Sequence, residues 1–256
     1  MVQELAVRVF THSSDRLAGI SGIAAAMQLP QMGDYFAGVW SWNPFLSMAW
    51  HGRTSQLLPS EYRAPSWSWV WTFDQLVWHY TTWATDLDGE TEEEWTTWDA
   101  KWGPRLLDRE ILNKGTQEKG EVVEGSSITI SGFCRRMVFT EQVGSVYNMW
   151  GFAANIDWCS DLGTWAHLDW RPNNWSAEAR FEREDERGEG EDAQGVRRYL
   201  CVQILRERKH RRFNPKVIAM VLEEAAEGAY RRAGIVEFDL EEEEEEKWER
   251  RTLRLV

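Results

Sequence analysis

Cysteine is scarce in this chain, with three residues in 256, at Cys134, Cys159 and Cys201, widely spaced and without a CxxC pair. An odd, dispersed set supports neither a disulfide framework nor a zinc site, and it fits a reducing compartment. Long apolar runs are also missing. The only apolar stretch near the start, LAGISGIAAAM (17–27), is too short to span a bilayer. Ala24 to Ala26 imitate a signal-peptide cleavage site, but Glu4 and Asp15 stand where a basic leader belongs, so the stretch reads as a helix of a cytoplasmic protein. The sequon Asn174-Trp175-Ser176 is then unused. Positive charge is in deficit, 29 basic against 42 acidic residues for a net −13, which opposes binding to nucleic acid or to an anionic membrane. The one basic cluster, RERKHRRF (206–213), sits among acidic tracts that offset its field.

Signatures of local chemistry are missing as well. The five histidines, His12, His51, His79, His167 and His210, lack metal-ligand spacing, and there is no HExxH, GxSxG or phosphate-loop pattern. The nearest approach to a ligand cluster is DWCSDLGTWAHLDW, with Asp157, Cys159, Asp161, His167 and Asp169. Its mixture of hard and soft donors matches no standard metal set, and it reads as a solvated loop pinned by tryptophans. Asp86-Leu-Asp88-Gly-Glu90 has its glycine at the fourth position, where a calcium loop needs it at the sixth. No catalytic residue, cofactor or metal is expected. A hydrolase with a dispersed site would have to gather His167 or His79 with carboxylates in a pocket.

Tryptophan is what the chain has in excess, at 17 residues. Three of them alternate in YRAPSWSWVW (62–71), where Trp67, Trp69 and Trp71 take one face of an expected strand and Ser66, Ser68 and Val70 the other. Pro65 suits a strand's first position. The indoles are expected to fill a core between sheet and helices, since alternation with serine implies one packed and one polar face. Trp95, Trp98 and Trp102, in an acidic stretch, are expected to be partly exposed.

Around this stretch the period changes. Ser13, Ser14 and Asp15 can cap a helix with Leu17, Ile20, Ala24 and Met27 on one stripe. Asn43-Pro44 starts a second helix, with Gly52 as its stop, so residues 13 to 52 read as two or three short helices. Downstream, SSITISGF (126–133), RRYLCVQIL (197–205), KVIAMVLE (216–223), AYRRAGIVEF (229–238) and RTLRLV (251–256) read as strands, the third central because it is apolar on both faces. Residues 86 to 99 read as an acidic surface loop and 182 to 195 as a disordered acidic insertion. DLEEEEEEKWER (239–250) is a solvated helix with Trp248 facing inward, or a flexible loop.

DRLAGISGIAAAM, GDYFAGVW (33–40), LSMAWHG (46–52) and EYRAPSWSWV (61–70) follow one another in an order and spacing that resembles the segment closing and following the HET domain of fungal heterokaryon-incompatibility proteins. GSSITISGF, VIAMVLEEAAEGAYRRAGIVEF and RTLRLV resemble that family's C-terminal strands. The motif residues carried over are Tyr62, Arg63, Ala64, Pro65, Ser66, Trp67, Ser68 and Trp69, in a structural role. Two departures stand out: Val70-Trp71-Thr72-Phe73 replaces the family's Ala-Ser and aspartate-glycine turn, and the HET domain proper has no counterpart before Asp15. That domain resembles Toll/interleukin-receptor-type modules with an NAD-cleaving or self-associating role, and its catalytic residues have no matching positions here.

Together these readings give an α+β protein, with short N-terminal helices packed on a mainly antiparallel, β-rich sandwich or barrel-like core. Residues 1–60 form the helical segment, the tail of a HET-like region, and 61–256 the β-rich domain. The resemblance implies a non-enzymatic regulatory or recognition region in fungal nonself recognition and cell death, with full-length HET-domain relatives or other proteins as partners. The alternative is a tryptophan-rich module binding carbohydrate or a small ligand.

Overall fold

The computed structural model describes residues 15–52, 62–72, 76–78, 102–114, 121–141, 156–159, 164–168, 177–181, 196–206, 216–239 and 247–256. Helix α1, Asp15–Met27, turns Leu17, Ile20 and Ala24 into the core, while Met27 at its end stands half exposed. The stripe thus fades over its last turn. Helix α2, Pro44–Met48, starts as expected: Asn43 Oδ1 accepts from Leu46 N at 3.2 Å, and Pro44 takes the first helical position. It stops well before Gly52. Trp50–Gly52 is instead a strand, β3, which pairs antiparallel with β4, Leu76–Trp78. The expected helices also miss a hairpin of β1, Tyr35–Phe36, and β2, Val39–Trp40.

The larger sheet is built from β5 (Arg105–Glu110), β6 (Ser127–Glu141), β7 (Ile156–Cys159), β8 (Thr164–Leu168), β9 (Ala177–Phe181), β10 (Val196–Arg206), β11 (Lys216–Glu224), β12 (Tyr230–Asp239) and β13 (Glu249–Leu255). Its centre is a ring. Antiparallel pairings join β6 to β10, β10 to β11, β11 to β12 and β13 to β6, and β13 meets β12 in parallel. Five strands therefore close on themselves, by long ladders at four of the five contacts and by one residue pair between β12 and β13. The 15 residues of β6 let it carry β5 and β13 along its first half and β10 and β9 along its second.

Both faces of β10 and β11 are buried, in β11 as its sequence requires. Leu200, Val202, Ile204, Ile218, Met220 and Leu222 join Ile128, Ile130, Leu253 and Leu255 in one core, which also takes in Leu17, Phe45, Trp50 and Trp67 from the N-terminal elements. Tyr199, Cys201, Val217, Ala219 and Val221 face a second core with Phe238 and Trp248. Trp248 faces inward, its ring stacked on Phe238 at 5.6 Å. The mainly antiparallel, strand-rich α+β architecture is the one the sequence implies. Residues 157–159 and 164–168 depart from the expected loop: β7 and β8 pair antiparallel, and β8 pairs with β12, with His167 opposite Ile235. The stretches 86–99 and 182–195 lie outside the described residues, as do Trp95 and Trp98.

Candidate functional site

Residues 62–72 are not a strand. Ser68 N donates to Pro65 O at 2.9 Å, and Trp71 N donates to Ser68 O at 3.0 Å, so the chain makes a turn followed by a 3₁₀ helix, Trp69–Trp71. Ser68 caps that helix, its Oγ accepting from Val70 N at 3.2 Å. The serines decide the outcome. Ser68 Oγ takes a nearby backbone N–H, as short hydroxyl side chains can, and both hydroxyls also reach distant backbone groups at Ala37, Arg232 and Val256, so the turn is held without a neighbouring strand. The expected polar face is consequently absent: Ser66 and Ser68 are as buried as Trp67 and Trp69.

Three attachments converge on this turn. The first closes the barrel. The parallel contact of β12 with β13 is a single residue pair, Tyr230 with Leu255, followed by Val256 N donating to Tyr230 O at 2.9 Å. Beyond it Ser66 enters the seam: its N donates to Val256 O at 3.2 Å, its Oγ donates to the same oxygen, and that Oγ accepts from Arg232 N at 2.9 Å. One serine thus bridges two strands that have parted. Arg232 continues the link, sending Nη1 to Met48 O at 2.6 Å and Nη2 to Trp50 O, with its guanidinium 3.5 Å from the Trp50 ring centre.

The second attachment holds the β1–β2 hairpin. Ser68 Oγ donates to Ala37 O, and Trp69 Nε1 donates to Gly38 O at 2.7 Å. Trp67 packs tilted against Phe36, ring centres 5.9 Å apart. Gly38 has φ +90°, and a Cβ there would lie 2.9 Å from Trp69 Nε1 and 3.1 Å from Ser68 Oγ. Gly38→Ala is therefore expected to cost about 1–3 kcal/mol. Gly22, in α1, has open space around it. Gly22→Ala should instead stabilise the protein, by about 0.5–1 kcal/mol, and urea unfolding of the two variants reads both signs.

The third attachment reaches α1. Arg16 is buried, donates Nη1 to Thr72 O, and lies 5.7 Å over the Trp69 ring. Burial, and next the charge of Arg63, lower its pKa to about 10.

The motif residues carried over from the sequence therefore meet in one place, with unequal shares. Ser66, Trp67, Ser68 and Trp69 make the contacts above, Ala64 and Pro65 are buried beside them, and Arg63 is half-buried beside Arg16. Tyr62 is exposed, and its hydroxyl donates to Val123 O at 3.0 Å. Sequence reasoning missed Arg16, Gly38 and Arg232. The signals available were an arginine beside the apolar stripe of α1, the Ala-Gly step between Tyr35-Phe36 and Val39-Trp40, and an arginine next to the apolar run Ala233 to Val236 of β12. As a ligand platform the turn is poor, because the core takes up Trp67 and Trp69 and leaves Trp71 half-buried.

Among the described residues no group of three or more His, Cys, Asp or Glu is placed to hold a metal, and no helix is long and apolar enough to cross a membrane. His79 lies outside the described residues, and His167 is placed by its backbone alone. Cys134 and Cys201 are buried thiols outside any disulfide. Burial pushes the Cys134 thiol up to about 12. Its neutral form is favoured by the fold, so this contribution to stability is intact below about pH 9 and is lost as pH rises towards 12. Both thiols are expected to resist iodoacetamide at pH 8 in the native protein and to react in urea, with mass spectrometry of the peptides as the readout.

Comparison with protein-family models, with curated proteins and with solved structures finds no match for this chain.

Proposed function

We propose that this chain is a non-enzymatic regulatory or recognition region of the heterokaryon-incompatibility type, acting in the cytoplasm in fungal nonself recognition and cell death. One observation carries the reading. The stretch bearing the family-like pattern is the joint through which α1, the hairpin and the barrel seam are tied together. By resemblance, α1 closes the domain that precedes this region in full-length relatives. A displacement of α1 would act through Arg16 and Thr72 on the turn, and through Ser66 on the seam between β12 and β13. Such a chain is suited to sensing a partner at one end and responding at the other, with full-length HET-domain relatives as the partners.

The test is co-expression of this chain with a full-length relative in a fungal host, scoring cell death and co-precipitation. The native chain should bind the relative and change the frequency of death. A chain that does neither, while folded, overturns the reading.

A further inference from the structure

Strand β5 lies at the border of the sheet. It pairs with β6 on one side, and among the described residues no strand lies on the other. Five of its six residues are exposed, including Leu107, with 54% of its surface open. An unpaired edge of this kind is a template for another strand unless charge or shape defends it.

The register shows which strand the edge suits. Pairing with β6 slips between Leu106 and Asp108, so Leu107 is an inserted residue. The slip places Arg105, Asp108 and Glu110 opposite Ser131, Thr129 and Ser127, all on one face. Without it, Arg105 and Glu110 would point to opposite faces, because side chains alternate along a strand. Arg109 is taken up by Asp34, and Asp108 Oδ1 accepts from Arg109 N at 2.8 Å. Among the described residues Arg105 and Glu110 have no ion-pair partner. The strand therefore ends in two charges of opposite sign on the same face, neither compensated among the described residues.

We propose that β5 is a self-association edge, which the β5 of a second copy joins antiparallel about a two-fold axis at Asp108. A two-fold contact requires a self-complementary surface, and this strand has one. With Leu107 set aside as the insert, Arg105 of each copy faces Glu110 of the other, Leu106 faces Arg109, and Asp108 faces its own counterpart. The two Arg105–Glu110 pairs favour this register, and the like-charged Asp108 pair weakens it. The contact is small, so association is weak and concentration-dependent. It stands on β5 alone and is independent of the regulatory reading.

Sedimentation equilibrium at low ionic strength tests it, with circular dichroism confirming that each variant is folded. The wild type should show a monomer–dimer equilibrium. Arg105→Glu and Glu110→Arg should each raise the dissociation constant about tenfold or more. An equimolar mixture of these two variants, and the double variant Arg105→Glu/Glu110→Arg, should restore association. Asp108→Asn should tighten it. The two single reversals move the net charge in opposite directions, so a general charge effect would weaken one and strengthen the other. A monomeric wild type, single reversals without effect, or a double variant that fails to recover would each overturn the proposal.

Discussion

Replacing Trp67 by alanine is expected to cost about 3–5 kcal/mol, the range for removing a fully buried large aromatic side chain. The indole is completely enclosed, in a core that contains residues of α1, of the hairpin and of five barrel strands. No single neighbour can relax into the space, because each is fixed in its own element by other contacts. Trp69 is held to Gly38 O, Ser66 to the β12–β13 seam, and Trp50 lies under Arg232. For a chain of this size the melting temperature should fall by roughly 10 °C or more. Trp67→Phe, which keeps an aromatic ring against Phe36, should recover more than half of the loss in guanidinium unfolding. Equal losses for alanine and phenylalanine would show that the site is not tightly packed.

Arg232→Met is expected to cost about 3 kcal/mol. The thioether replaces the stem of the arginine and removes only the guanidinium, so the loss reports its bonds to Met48 O and Trp50 O and its stacking on Trp50. Two carbonyls in a dry core lose a charged donor, and an unsatisfied buried acceptor is costlier than the bond it replaced is favourable. The backbone N–H of Arg232 still reaches Ser66, so the seam itself should persist. Arg232→Lys keeps the charge without the planar fork and should lose about half as much. A methionine variant as stable as wild type would remove Arg232 from the joint.

The strand-rich core was legible because its long strands carry their own pattern, while the sequence left sandwich and barrel both open. β11 is apolar at every position from Val217 to Leu222, so composition alone places it in the centre of a sheet, whereas the burial of both faces of β10 shows only in the structure, where it alternates between two cores. The short elements left no such trace. β1 and β2 are two residues each, joined at Ala37 and Gly38 with φ of 45° and 90°, a tight turn that no periodicity announces. β5 hides its alternation behind the insertion at Leu107. The tryptophan turn misled for a different reason. Indoles at every second position look the same in a strand and in a turn that leads into a 3₁₀ helix, and the choice was made by serine hydroxyls whose partners lie far along the chain, at Ala37, Arg232 and Val256. Long-range acceptors cannot be read from a local pattern. The packed role of the indoles was still recoverable, since burial follows from their size whichever backbone carries them.

Site-resolved amide hydrogen exchange in the native protein and in Ser66→Ala bears most directly on the joint. In the wild type, the amides of Ser68, Trp71, Arg232 and Val256 should exchange with one common opening free energy close to that of β10 and β11, and Ser66→Ala should lower it at all four together. The opposite result would be rapid exchange of residues 62–72 in the wild type, with Arg232 and Val256 protected equally in both proteins; the turn would then be a surface loop resting on a barrel that closes without it.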